Sequence, residues 1–191
     1  MTDRQALLGK AALQVIASGG LRALTHRAVD EAAGLPAGSV NYYAPTRSRL
    51  NGLALAEVYE QMYAIAVRTF GPVLDVGEKA ATDVVLDCTT DFVEAMSNEG
   101  RGAVRARHAL LVEAQFDADL RKQVITNRTA FIGFTEPFVR AYAPESSERA
   151  AELIVVLIDG LIQQQTLVAT SNFPRPMIRA AIARIFRYEE R

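Results

Sequence analysis

The chain has 191 residues, 50% hydrophobic and 23% charged, with a formal net charge of −1, which excludes a disordered or low-complexity protein and leaves enough apolar material for a sizeable core. Its one cysteine, Cys88, excludes an internal disulfide, and His26 and His108 stand far apart with no Cys or carboxylate at zinc-site spacing, so neither metal nor other cofactor is expected. The average charge hides an asymmetry: residues 1–50 carry +3 and the remainder −4, a distribution that draws nucleic acid to one end.

The segment Met1 to Lys10 mixes charges with Ala6, Leu7 and Leu8, unlike a secretory signal, so a cytoplasmic protein is expected. Leu8, Ala12, Val15 and Ile16 fall on one helical face and Gly19-Gly20 supplies a stop, predicting a first helix over 3–18. Thr25 can cap a second helix, with Leu24 and Val29 as a hydrophobic staple. That helix ends at Gly34, and Pro36 suits the first turn of a short third helix over 37–43. Pro45 closes it, Thr46 can cap the next, and a stripe from Leu50 to Ala66 carries a fourth helix to Phe70.

Beyond Gly71-Pro72, amphipathic helices are expected over 80–97, 103–116 and 119–142. The run Leu153 to Ile158 would suit a buried strand in isolation, but it lies within a segment, 147–171, too long for one. It reads as a buried helix, and Asp159 with Gln163, Gln164 and Gln165 argues against a membrane span of roughly 20 unbroken apolar residues. A last helix follows Pro174 and Pro176. The fold class is therefore all-α.

Two short helices over 25–33 and 37–43, joined by a glycine turn, make a helix-turn-helix, whose second helix enters the major groove. The competing reading is an ordinary helical hairpin. Arg27 and Arg47 flank the recognition helix where guanidinium groups could grip phosphates, against the plain reading of solvated surface arginines. Val40 would face inward, leaving Ser39, Asn41 and Tyr42 for base edges, and Asn pairs bidentately with adenine.

The stretch from Leu24 to Leu50, with its Thr25-capped helix, Ala32-Ala33-Gly34 turn, Gly38-Ser39-Val40 recognition-helix start and Arg47 opening helix four, closely resembles the DNA-binding domain of the TetR family. That resemblance covers about the first quarter of the chain. It implies an N-terminal three-helix DNA-binding domain, 1–48, with its motif at about 25–44, and a helical ligand-binding and dimerisation domain, 49–191. It further implies that Thr25, His26 and Arg27 touch the DNA backbone and groove edge, that Ala37, Ser39, Asn41, Tyr42 and Tyr43 sit on or beside bases and phosphates, and that Arg47 anchors a phosphate. Three positions depart from the family pattern: Asn41, where an aromatic is frequent, Ala44, where a core Phe is usual, and Pro36 in place of a Ser cap.

By the same resemblance, the helices at about 119–142 and 147–171 would form a four-helix bundle with their symmetry mates in a homodimer binding double-stranded operator DNA. An unidentified small-molecule effector would bind behind the DNA-binding domain. Candidate lining groups are Tyr63, Phe92, Met96, His108, Phe116 and Phe131, with Arg105 or Glu113 for a polar head; the competing reading for each is core packing. An enzyme is the rival class, but Gly-x-Ser-x-Gly, a phosphate-binding Gly-rich loop and His-Glu-x-x-His are all missing, and neither Cys88 nor Ser39 has a base beside it in sequence. A second rival is a helix-turn-helix dimer without a small-molecule ligand. The expected function is a DNA-binding transcriptional regulator, a repressor that releases a palindromic operator when its ligand binds.

Overall fold

The computed structural model describes residues 2–74, 81–140, 147–168 and 172–186. Among the described residues there are ten α-helices and no strand: α1 (Asp3–Gly19), α2 (His26–Ala32), α3 (Ser39–Tyr43), α4 (Arg47–Thr69), α5 (Gly71–Leu74), α6 (Thr82–Ser97), α7 (Arg101–Glu113), α8 (Ala118–Arg140), α9 (Ser147–Gln163) and α10 (Arg175–Phe186). A 3-10 turn, Leu21–Ala23, follows α1, and a π turn, Gln164–Val168, continues α9. The all-α expectation holds, and the run from Leu153 to Ile158 is helical. The expected ends of the helices at 141–142 and 169–171 lie outside the described residues.

The chain divides into two compact units, one of Met1–Met62 with Gly100–Asn127 and one of Tyr63–Glu99 with Arg128–Arg191. In the first, α1 starts at a capping box: the Thr2 hydroxyl accepts the Gln5 N–H and the Gln5 side chain accepts the Thr2 N–H, satisfying two otherwise orphaned donors. One face of α1 packs on α2 and α7. Leu8, Ala12 and Ile16 from that helix, Leu24, Val29, Val40 and Ala44 from the segments that follow, and Leu50, Leu55, Leu110 and Leu120 are buried together in this unit. Full burial of each large side chain contributes roughly 1.5–3 kcal/mol.

Asp117 opens α8 in the same unit, its Oδ1 accepting the Leu120 N–H at 3.0 Å. That bond, and next the Ser48 hydroxyl, hold its carboxyl below the usual aspartate range. Because the folded pKa is depressed, the carboxylate stabilises the fold fully above the unfolded value of about 3.9, and the contribution is lost as pH falls through the lower folded value. Thermal midpoints measured from pH 6 to pH 2 should therefore show the wild type's advantage over Asp117→Asn shrinking only below about pH 4. Parallel curves over that range would contradict the assignment.

In the second unit, α6 packs on α5, α9 and α10. Ile154, Ile158 and Ile162 line one buried face of α9, with Ile178 and Ile182 of α10 buried in the same unit. The segment Glu148–Val168 is long and apolar enough to cross a membrane by length and composition, a property it shares with the buried core helix of a globular fold. An arginine ladder fastens α10 to α6: Arg175 donates to Asp91 at 2.6 Å and Glu94 at 2.7 Å, and Arg179 to Asp87 at 2.9 Å and Asp83 at 2.5 Å. Single surface pairs contribute little, but these form a network across four carboxylates. Deeper in, the buried Gln165 of the π turn donates to Ser97 Oγ at 3.1 Å and accepts the Phe173 N–H at 2.8 Å.

Candidate nucleic-acid interface

Local chemistry sets where α2 and α3 begin and end. Thr25 is extended, and its hydroxyl oxygen accepts the Ala28 N–H at 3.1 Å, the N-cap expected of it. Gly34 has φ +66, so the chain turns after α2 at no Cβ cost. The third helix, however, starts two residues later than predicted. Gly38 stands at φ +90 in the left-handed region, which interrupts the helix that Pro36 would otherwise initiate. Pro36 instead forms a separate turn whose carbonyl accepts both the Ser39 N–H at 3.2 Å and the Ser39 hydroxyl at 2.6 Å.

A five-residue helix cannot hold itself, since nucleation fixes several residues for one hydrogen bond. The holding group is Asp30, which sequence reasoning missed. Its buried carboxylate accepts the Gly38 N–H on Oδ2 at 2.7 Å and the Val40 N–H on Oδ1 at 2.8 Å. Both are charge-assisted bonds to N–H groups at the α3 N-terminus, where the helix dipole also favours an anion. Val40 anchors the inner side of α3 at 0% exposure.

The expected DNA-facing residues fall into two groups. Thr25, Arg27, Ala37, Asn41 and Tyr42 are exposed, Tyr42 at 84%, and Ser39 and Tyr43 are half-buried. The Tyr42 and Tyr43 rings meet edge to face at 4.9 Å, and Tyr43 turns toward a groove of about 260 Å³ that it lines with Gln5, Arg49, Gly52, Leu53, Ala56 and Gln123. His26, half-buried, and Arg47, exposed, also make internal bonds. His26 Nε2 lies 2.6 Å from the Ala44 carbonyl, and the Arg47 guanidinium donates to the Leu21 carbonyl at 2.7 Å and to that of Leu24. The exposed polar groups of this segment thus include the Asn41 amide, the Tyr42 phenol, the Thr25 hydroxyl and the Arg27 and Arg47 guanidinium groups.

The eight expected effector-lining residues also divide. Tyr63, Phe92, Met96 and Phe131 belong to the second unit, and Arg105, His108, Glu113 and Phe116 to the first. In the second unit the Tyr63 and Phe131 rings are 4.7 Å apart and those of Phe92 and Phe131 6.4 Å. Phe70, Phe134 and Phe138 extend the cluster, with Phe70 stacked on Phe138 at 5.5 Å. Met96 is fully buried one turn from Phe92. Burial pushes the Tyr63 phenol up, so it is neutral at physiological pH and its polar end is a hydrogen-bonding O–H. On α7 and the turn after it, Arg105 and His108 are exposed, Glu113 is half-buried and Phe116 is 86% exposed. Cys88 is buried, and burial first, then Asp91 and Asp87, push its thiol up, which disfavours the thiolate a nucleophile needs.

The sequence model of the family described as "Tetracyclin repressor-like, C-terminal domain" matches residues 80–188. Among solved structures, a transcriptional regulator from Rhodococcus sp. Rha1 is 16% identical with a TM-score of 0.75, the alignment covering 97% of this chain and 94% of that one. The multidrug binding protein EbrR is similar as well: its complex with imidazole aligns at 20% identity and TM-score 0.71 over 97% of this chain and 96% of that one. Its complex with malachite green aligns at 21% and 0.70 over 96% and 98%. No curated protein matches the chain.

Proposed function

This chain belongs to the TetR family of transcriptional regulators, and from that premise we propose that it is a cytoplasmic homodimer that represses by holding a palindromic operator and releases it when a small molecule binds. The DNA-binding domain is assigned to residues 1–48 and the ligand-binding and dimerisation domain to 49–191. The observation that carries the reading is α3: Val40 is buried, Asp30 holds the backbone, and Asn41 and Tyr42 are exposed on the same short helix. This is what direct readout requires, a rigid element presenting polar side chains of defined hydrogen-bonding pattern. Asn41 is assigned to a base edge, with Thr25, Arg27, Ala37, Ser39, Tyr42 and Tyr43 around it.

Dimerisation is assigned to α8 and α9. The exposed apolar residues Ile125 on α8 and Leu153 and Val156 on α9 favour burial by a second copy. The effector is assigned to the aromatic cluster of Tyr63, Phe92 and Phe131, a reading favoured by the malachite green and imidazole complexes of EbrR. Release would follow as a population shift toward a dimer whose recognition helices no longer match major grooves about 34 Å apart.

The test is binding of the purified protein to DNA fragments from upstream of its own gene across a salt series, where affinity must fall steeply as salt rises. Replacing Asn41 by Ala should relax discrimination at one base pair per half-site by about 1–3 kcal/mol while barely changing affinity for unrelated DNA. A uniform loss of affinity for all sequences would remove Asn41 from the base-reading set.

A further inference from the structure

We propose that Arg47 is a positioning residue that stitches the helix-turn-helix closed through its own backbone, and that it is not one of the protein's phosphate contacts. The inference rests on the DNA-binding reading above. Arg47 is the first residue of α4, where the positive end of the helix dipole makes a cation unwelcome unless acceptors surround it. Two backbone carbonyls supply them, although the residue is otherwise exposed. One guanidinium nitrogen reaches the Leu24 carbonyl and the other the Leu21 carbonyl at 2.7 Å. These two carbonyls belong to the 3-10 turn and its last cap, the segment that leads directly into Thr25 and α2.

His26 adds the adjacent stitch, with Nε2 2.6 Å from the Ala44 carbonyl. Residues 21–26 and 44–47 are thereby joined in antiparallel order, Leu21 and Leu24 to Arg47, and His26 to Ala44. The segment leading into α2 is fixed to the segment leaving α3. Thr46 caps the start of α4 beside it, its hydroxyl accepting the Arg49 N–H at 3.2 Å. Bonding two carbonyls from two separate, coplanar nitrogens is a property of the guanidinium fork. A lysine ammonium carries the same charge as a point and cannot reproduce it. The two roles therefore make opposite predictions: a phosphate anchor depends on charge and tolerates Lys, whereas a clamp depends on the fork and does not.

The experiment uses the full-length protein and a duplex enriched by the wild type from a randomised double-stranded library, with affinities of wild type, Arg47→Lys and Arg47→Ala measured from 50 to 300 mM KCl. We expect both variants to bind the duplex about ten-fold or more weakly, with the wild-type slope of log affinity against log salt and undiminished binding to unrelated duplex DNA. The inference is overturned if Arg47→Lys stays within about three-fold of the wild type, or if the slope for Arg47→Ala falls by the value of about 0.9 that each lost phosphate contact removes. Should Arg47→Ala not fold, as judged by circular dichroism, Arg47→Gln takes its place with the same readings. If the wild type enriches no duplex at all, the DNA-binding reading itself has failed, and the clamp loses its role in DNA binding with it.

Discussion

Replacing Asp30 by Asn is expected to reduce affinity for the operator by on the order of a hundred-fold, although Asp30 presents nothing to the duplex. The substitution preserves shape and removes one acceptor. Two backbone donors, the N–H groups of Gly38 and Val40, converge on the two carboxylate oxygens, and an amide offers one oxygen and one NH2. One of the two N–H groups would face another donor in a site where Asp30 is only 3% exposed. An orphaned buried donor costs about 1–3 kcal/mol, and the lost bond was charge-assisted, of the class that contributes about 1.5–3 kcal/mol. Since α3 has five residues and little helical stability of its own, the strain is relieved by moving α3, and the recognition surface moves with it.

The loss should appear as reduced specific affinity with an unchanged salt slope, because no phosphate contact is removed. Gly38→Ala probes the same corner from the backbone side. At φ +90 an added Cβ costs roughly 1–2 kcal/mol, so a smaller loss is expected, even though nothing lies within 4 Å of the new carbon. Operator binding by Asp30→Asn within three-fold of the wild type would refute the role assigned to the carboxylate.

Asp30 also marks where sequence reasoning stops. Thr25, Gly34 and the inward Val40 were legible because their signals are local: a cap three residues from its N–H, a glycine at a turn, an apolar residue between polar ones. Asp30 acts across eight and ten residues, Arg47 across 26 and 23, His26 across 18. Their partners are backbone groups whose identity leaves no trace in the sequence. The spacing of a polar residue on a helix-turn-helix does not disclose which backbone groups it bonds. The start of α3 was misplaced for a related reason: Pro36 is a sound helix-start signal, but the φ that Gly38 adopts overrides it. In the second unit, helical spacing identified apolar faces, yet spacing within one helix says nothing of which helix lies opposite. Phe70, Phe134 and Phe138 joined the ring cluster only once α4, α6 and α8 were in place.

That cluster supplies the other large effect. Phe92→Ala is expected to destabilise the protein by about 3–5 kcal/mol, the usual cost of emptying a buried aromatic site. Phe92 is 4% exposed and its ring lies 6.3 Å from Phe70 and 6.4 Å from Phe131, so removing it leaves both neighbours facing a void. At this chain length each kcal/mol moves the thermal midpoint by roughly 2–4 °C, so a fall of about 10 °C is expected at fixed protein concentration. Phe131 is half-buried and meets Tyr63 at 4.7 Å; Phe131→Leu keeps most of the apolar volume and removes ring pairing worth about 0.5–1.5 kcal/mol. The two substitutions separate core from ligand chemistry. If the cluster is both, Phe92→Ala lowers stability with or without an aromatic compound present, whereas Phe131→Leu leaves the midpoint within a few degrees and weakens any stabilisation that such a compound adds to the wild type. A midpoint for Phe92→Ala within about 2 °C of the wild type would mean that the ring is not part of the packed core, and the geometric basis for placing an effector beside it would go with it.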